Sequence, residues 1–123
     1  MSINEHKTVY VITPEHTSGS QLLLRDNIIP AVKGKNVLIL AGSVTTGYTA
    51  GSAIEAVKYY CGTVVGISSI FATVDQYLGY QVTSVFNPKD LDGYESHSAE
   101  NCPLCKNGQK LDALVNSFGY SKI

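Results

Sequence analysis

The chain has 123 residues, 44% hydrophobic and 15% charged, with a formal net charge of −1. That length suits one domain with a real core, and the near-neutral balance excludes a strongly basic surface for bulk nucleic-acid binding. No run approaches the ~18–20 apolar residues of a membrane span, the polar start Met1–Lys7 lacks a signal peptide's apolar core, and three cysteines argue against a secreted disulfide framework. The expected setting is the cytoplasm, with no membrane and no nucleic acid as partner.

Residues 1–7 read as a loose tail. Thr8–Thr13 is rich in β-branched and aromatic residues and reads as a strand that Pro14 stops. Glu15–Ser20 reads as a polar loop and Gln21–Leu24 as a returning strand, together an antiparallel hairpin. His16 in that loop is by type either a solvated side chain or a near-neutral acid or base. Asn27–Val32 leads to a turn at Lys33–Asn36. The four apolar residues Val37–Leu40 then read as a short strand of a parallel sheet covered on both faces. Small and hydroxylated residues follow from Ser43 to Thr49, and Ala50, Ala53, Ile54, Val57 and Cys61 recur at helical spacing.

Strand, hydroxyl-rich turn and helix together aim backbone N–H groups and Ser/Thr hydroxyls at one point, beside the positive end of the helix dipole. The natural guest is an anion, most often a phosphate. The plainer reading is that Thr and Ser cap the helix. Ser43, Thr45, Thr46 and Thr49 around Gly47 exceed what one cap needs.

Gly62–Ile67 reads as the next strand, one βαβ unit after Val37, with its apolar run continuing to Ala72. Residues near Ser68–Thr73 should then face the same crevice as Thr45–Thr49. Thr73–Tyr80 reads as a helical turn or a loop, Gln81–Phe86 as a strand ending at Asn87-Pro88, and Lys89–Ala99 as irregular. Leu111, Leu114, Val115 and Phe118 fall on one face of a helix over 109–118, with Gly119 as its stop. No composition shift marks a second domain, so 1–123 reads as one domain.

Within it, residues 95–108 form a second chemical constellation. Cys102-Pro103-Leu104-Cys105 has the spacing with which two sulfurs chelate one metal ion, and His97 is a candidate third ligand for zinc. Free structural thiols and a disulfide or redox pair are the alternatives.

Val37–Thr49 resembles the ribose-phosphate loop of type I phosphoribosyltransferases, which bind phosphoribosyl pyrophosphate (PRPP). Thr45-Thr46-Gly47-Tyr48-Thr49 matches the second half of that loop. The resemblance implies that Ser43, Thr45, Thr46, Gly47, Tyr48 and Thr49 hold a ribose 5′-phosphate. The family's acidic pair, which holds the ribose hydroxyls, is replaced by Ala41 and Gly42. The tail from Cys102 to Tyr120 also looks like that of certain bacterial orotate phosphoribosyltransferases. The resemblance therefore implies an α/β, parallel-sheet, Rossmann-like phosphoribosyltransferase-type core, partial, with an antiparallel hairpin and a C-terminal helix. It implies a phosphoribosyl small-molecule ligand, magnesium with PRPP, and transfer to a pyrimidine such as orotate. A non-catalytic metabolite-binding or assembly protein of the same fold is the alternative. Nothing before Thr8 matches the family's N-terminal half, so the resemblance implies a fragment, a shortened paralogue or half of a site completed by another subunit, with exposed sheet edges favouring a homo-oligomer.

Overall fold

The computed structural model describes residues 6–17, 21–98, 100–116 and 118–123, and the chain divides into two units, Met1–Asp92 and Gly93–Ile123. In the first unit the expected strand at Thr8–Thr13 does not form. Val9, Tyr10 and Val11 are exposed, so their β-branched and aromatic character finds no sheet to pack on. The hairpin lies a few residues downstream, where β1 (Glu15–His16) pairs antiparallel with β2 (Leu22–Leu23). The Thr17 N–H donates to the Gln21 carbonyl at 2.9 Å, and the Arg25 guanidinium pairs with the Glu15 carboxylate. A 3-10 turn at Ile29–Ala31, with Pro30 inside it, carries the chain to the sheet.

The centre is β3 (Asn36–Val44), α1 (Tyr48–Tyr59) and β4 (Thr63–Ala72), with β3 and β4 parallel as the apolar runs require. The pairing passes from Val37↔Val64 to Leu38↔Gly66, which leaves Val65 as the extra residue of a bulge. A short β5 (Gln76–Tyr77) turns back through Leu78-Gly79 into β6 (Tyr80–Phe86), which lies parallel to β4. Both turn residues have positive φ, +49° and +82°, the geometry of the tight hairpin turn whose twist suits its strands. The ambiguous stretch Thr73–Tyr80 is thus a hairpin arm. The sheet order is β3-β4-β6-β5, mostly parallel, with β3 at an edge.

One face of this sheet is closed by α1. Ala50, Ile54 and Val57 of the helix meet Ile39, Val44, Val64, Ile67, Ala72 and Val82 of the strands, and Ile54 and Ile67 are each only 1% exposed. The described residues of this unit leave the other face open. Leu38, Leu40, Ile70 and Val85 stay 44%, 72%, 61% and 71% exposed, although a parallel sheet is ordinarily buried on both sides. An open hollow of about 460 Å³ lies there, lined by Leu40, Ala41, Gly42, Ser68, Ile70 and Val85 among others.

The second unit holds the short helix α2 (Pro103–Lys106) and the antiparallel hairpin of β7 (Ala113–Asn116) and β8 (Gly119–Lys122). This hairpin replaces the expected C-terminal helix over 109–118. The Asn116 side chain accepts the Phe118 N–H at 2.9 Å and Gly119 adopts φ +133°, so the chain turns where the helix would have ended. Gly119 opens a strand; it does not stop a helix. No described residue of this unit is buried. Among the described residues, no helix is long and apolar enough to cross a membrane.

Candidate functional site

The loop between β3 and α1 is shorter than the sequence implies at both ends. Ala41–Val44 continues β3, because Ala41, Ser43 and Val44 pair with Ser69, Phe71 and Ala72 of β4. The helix already begins at Tyr48. Ser43 is therefore an exposed strand residue, Thr45–Gly47 is the connection, and Tyr48 and Thr49 form the helix's first turn.

Gly47 is the N-cap, at φ +79°, and no side chain caps the helix. The first amide served from within is that of Gly51, which donates to the Gly47 carbonyl at 2.7 Å. The amides of Tyr48, Thr49 and Ala50 precede it and have no carbonyl within the helix to serve. Thr46, Tyr48 and Thr49 are exposed beside them, and among the described residues the Thr46 and Thr49 hydroxyls make no hydrogen bond. Hydroxyls that only capped the helix would bond its own N–H groups. Here they do not, so the positive end of the helix dipole stands without a side-chain cap at the carboxyl end of β3.

Two residues that sequence reasoning did not single out hold this loop. The Thr73 N–H donates to the Val44 carbonyl at 3.0 Å, and its hydroxyl donates to the Thr45 carbonyl at 3.1 Å. Thr73 thus ties the end of β4 to the loop, and it belongs to the Ser68–Thr73 stretch expected at this crevice. Tyr77 on β5 lays its ring against Gly47 and its hydroxyl end towards Gly51. A side chain at 47 would overlap that ring. The two glycines were the available signal, but the tyrosine lies thirty residues downstream of Gly47, and only the fold joins them.

Ala41 and Gly42 lie on β3 immediately before the loop, Ala41 half-buried and Gly42 exposed. Neither brings a carboxylate. Ser69, the register partner of Ala41, is 6% exposed, and its hydroxyl has no hydrogen-bond partner among the described residues. His16 is exposed on β1, beside Leu22, and in the first unit Cys61 follows the end of α1 at φ +58°.

In the second unit Cys102 and Cys105 come together across α2. The Cys105 amide and thiol and the Leu104 amide lie on the Cys102 side of the turn and favour its thiolate, holding its pKa below the ordinary thiol value, although the Cys102 sulfur caps no amide of α2. Donating to Cys102 pushes the Cys105 thiol up. The His97 ring instead meets the Glu95 carboxylate at 2.9 Å. Among the described residues, no three His, Cys, Asp or Glu side chains stand close enough to hold a metal ion.

A mostly parallel sheet, a single crossover helix and an open helix start at the strand's carboxyl end are compatible with a partial α/β core of the phosphoribosyltransferase type. No family model matches the chain. It is 34% identical over 79 residues, 64% of its length, to an orotate phosphoribosyltransferase of Thermoanaerobacter sp. (strain X514), of which it covers 40%. An orotate phosphoribosyltransferase of Caldanaerobacter subterraneus subsp. tengcongensis is 33% identical over 79 residues, 64% of the chain and 40% of that protein. One from Caldicellulosiruptor bescii is 34% identical over 80 residues, 62% of the chain and 39% of that protein. These similarities relate the chain to phosphoribosyltransferases, and it spans about 40% of the length of the curated relatives it matches.

Proposed function

We propose that the first unit binds the 5′-phosphate of a phosphoribosyl ligand, PRPP or ribose 5-phosphate, at Thr45–Thr49. The uncapped start of α1 carries this reading, because its free amides and the open Thr46 and Thr49 hydroxyls form a ready anion seat. Gly47 supplies the left-handed turn into the helix and the space for the Tyr77 ring, and Thr73 ties the loop to the end of β4. If the protein turns over, its reaction is phosphoribosyl transfer to a pyrimidine such as orotate, as the names of its relatives indicate.

Magnesium does not fit as an ion held by this strand. It takes oxygen ligands, and Ala41 and Gly42 supply no side-chain oxygen. It would arrive on the pyrophosphate of PRPP.

The same two residues favour a second reading, a non-catalytic protein that binds a phosphorylated metabolite or assembles with a second chain. Without carboxylates at 41 and 42 the ribose hydroxyls would lack their partners, while the Thr45–Thr49 loop would still offer a seat for a phosphate. The β3 edge and the open sheet face support assembly into a homo-oligomer.

Calorimetric titration with ribose 5-phosphate and with PRPP tests the shared claim. Each hydroxyl-to-phosphate bond is worth about 1.5–3 kcal/mol, so Thr46→Val with Thr49→Val should weaken binding at least a hundredfold. Unchanged affinity in that variant would overturn the site. Magnesium-dependent release of pyrophosphate from PRPP with a panel of nucleobases separates the readings, since only the transferase produces it.

A further inference from the structure

The Gly93–Ile123 unit has a fold but no interior. None of its described residues is buried, and Leu114, Val115 and Tyr120 of its hairpin stay 64%, 78% and 68% exposed. Units this short ordinarily need a disulfide, a metal or a partner chain to stay folded. Its cysteines are free.

The cysteine turn is built like a metal knuckle. The Lys106 N–H donates to the Cys102 carbonyl at 3.1 Å, and the Gly108 N–H donates to the Cys105 carbonyl at 3.0 Å. Gly108 closes the turn at φ +73°, where a side chain would be strained. Both cysteines therefore sit on one tight turn held by its own backbone bonds. Zinc takes four ligands in a structural site, and this turn supplies two. His97 is engaged by Glu95, and no third ligand stands near among the described residues. A second copy of the same turn would complete a four-sulfur set, and it would also bring a second hairpin to cover the exposed one.

We propose that Cys102 and Cys105 from two copies of this chain bind one zinc ion between them, as a tetrahedral four-thiolate site that pairs the two Gly93–Ile123 units. Four thiols give up four protons as the ion binds, so occupancy falls as the solution is acidified. The site is independent of the phosphate loop and stands or falls separately from it.

The test uses the full chain, reduced and desalted, titrated with zinc and separately with cobalt. The expected result is one metal ion per two chains, with the strong sulfur-to-cobalt absorption of a four-thiolate site. Amide exchange over 113–122 should slow on loading and recover with a chelator. Cys102→Ser and Cys105→Ser should each abolish uptake, while Cys61→Ser should leave it intact. One ion per chain, no uptake by the unmodified chain, or uptake that survives Cys102→Ser would each overturn the proposal. The metal-to-chain ratio is read on the unmodified protein, so it decides the matter even where a variant unfolds.

Discussion

Replacing Gly47 with alanine should cost the first unit about 2–5 kcal/mol of stability. Two effects add. At φ +79° an L-residue sits in the left-handed region, at a cost of about 1–2 kcal/mol. The new Cβ would also lie 2.5 Å from Tyr77 Cδ2 and nearer still to Cε2 and Cζ, and forcing a ring out of a packed site costs about 1–3 kcal/mol. Against a whole-domain stability of about 5–15 kcal/mol this is a large fraction. Urea unfolding followed by far-UV circular dichroism measures it. A paired measurement separates the terms. In a Tyr77→Ala background the ring is gone, so Gly47→Ala should cost only the backbone share, about 1–2 kcal/mol. A single variant within about 0.5 kcal/mol of the parent would show that neither effect operates at Gly47. A cost that is the same with and without the tyrosine would refute the share assigned to the ring.

Gly62→Ala should destabilise the same unit by about 1–3 kcal/mol, because its Cβ would lie 2.8 Å from Val32 Cγ1 and 2.9 Å from Val57 Cγ1; the same urea experiment reads it. Ser69→Ala should instead stabilise by about 1 kcal/mol or more, since it removes a buried hydroxyl without a partner; a lower unfolding midpoint would count against that account. Thr73→Val should cost about 0.5–1.5 kcal/mol by loss of the bond to the Thr45 carbonyl, and should weaken ribose 5-phosphate binding measured by calorimetry. The depressed Cys102 thiol should be alkylated by iodoacetamide at pH values below the ordinary thiol midpoint, and Cys105→Ala should move that midpoint up by removing a donor. The sign follows from the folded pKa lying below the unfolded one. The folded-state advantage of the Cys102 thiolate is complete above the unfolded value and disappears as pH falls through the folded value.

The β3-α1-β4 unit was legible because its signals are local: an apolar run, a hydroxyl-rich turn and a helical repeat. Its edges were not. Ala41–Val44 looks like the start of a loop until β4 lies beside it, and that pairing spans nearly thirty residues of chain. Tyr77 was invisible as part of the site for the same reason, and Thr73 was expected only within the Ser68–Thr73 stretch facing the crevice, not as the residue bonded to Val44 and Thr45. The last segment misled for another cause. Leu111, Leu114, Val115 and Phe118 satisfy a helical repeat, but they are exposed in the structure, so no core rewards that spacing. Local turn chemistry at Asn116 and Gly119 decides the outcome instead. At the other end, Thr8–Thr13 has strand composition but nothing to pair with, and β composition only records fitness for a half-buried surface.

The uncovered side of the β3-β4-β6 sheet has a practical bearing on any work with this chain. Leu40, Ile70 and Val85 present an oily plate to water while the unit is fully folded. Fluorescent dyes that light up on greasy surfaces should therefore glow with the native chain, and a dye-based melting curve would start from a high baseline. Samples should also scatter more light as they are concentrated, until a detergent or a companion polypeptide lies over the plate.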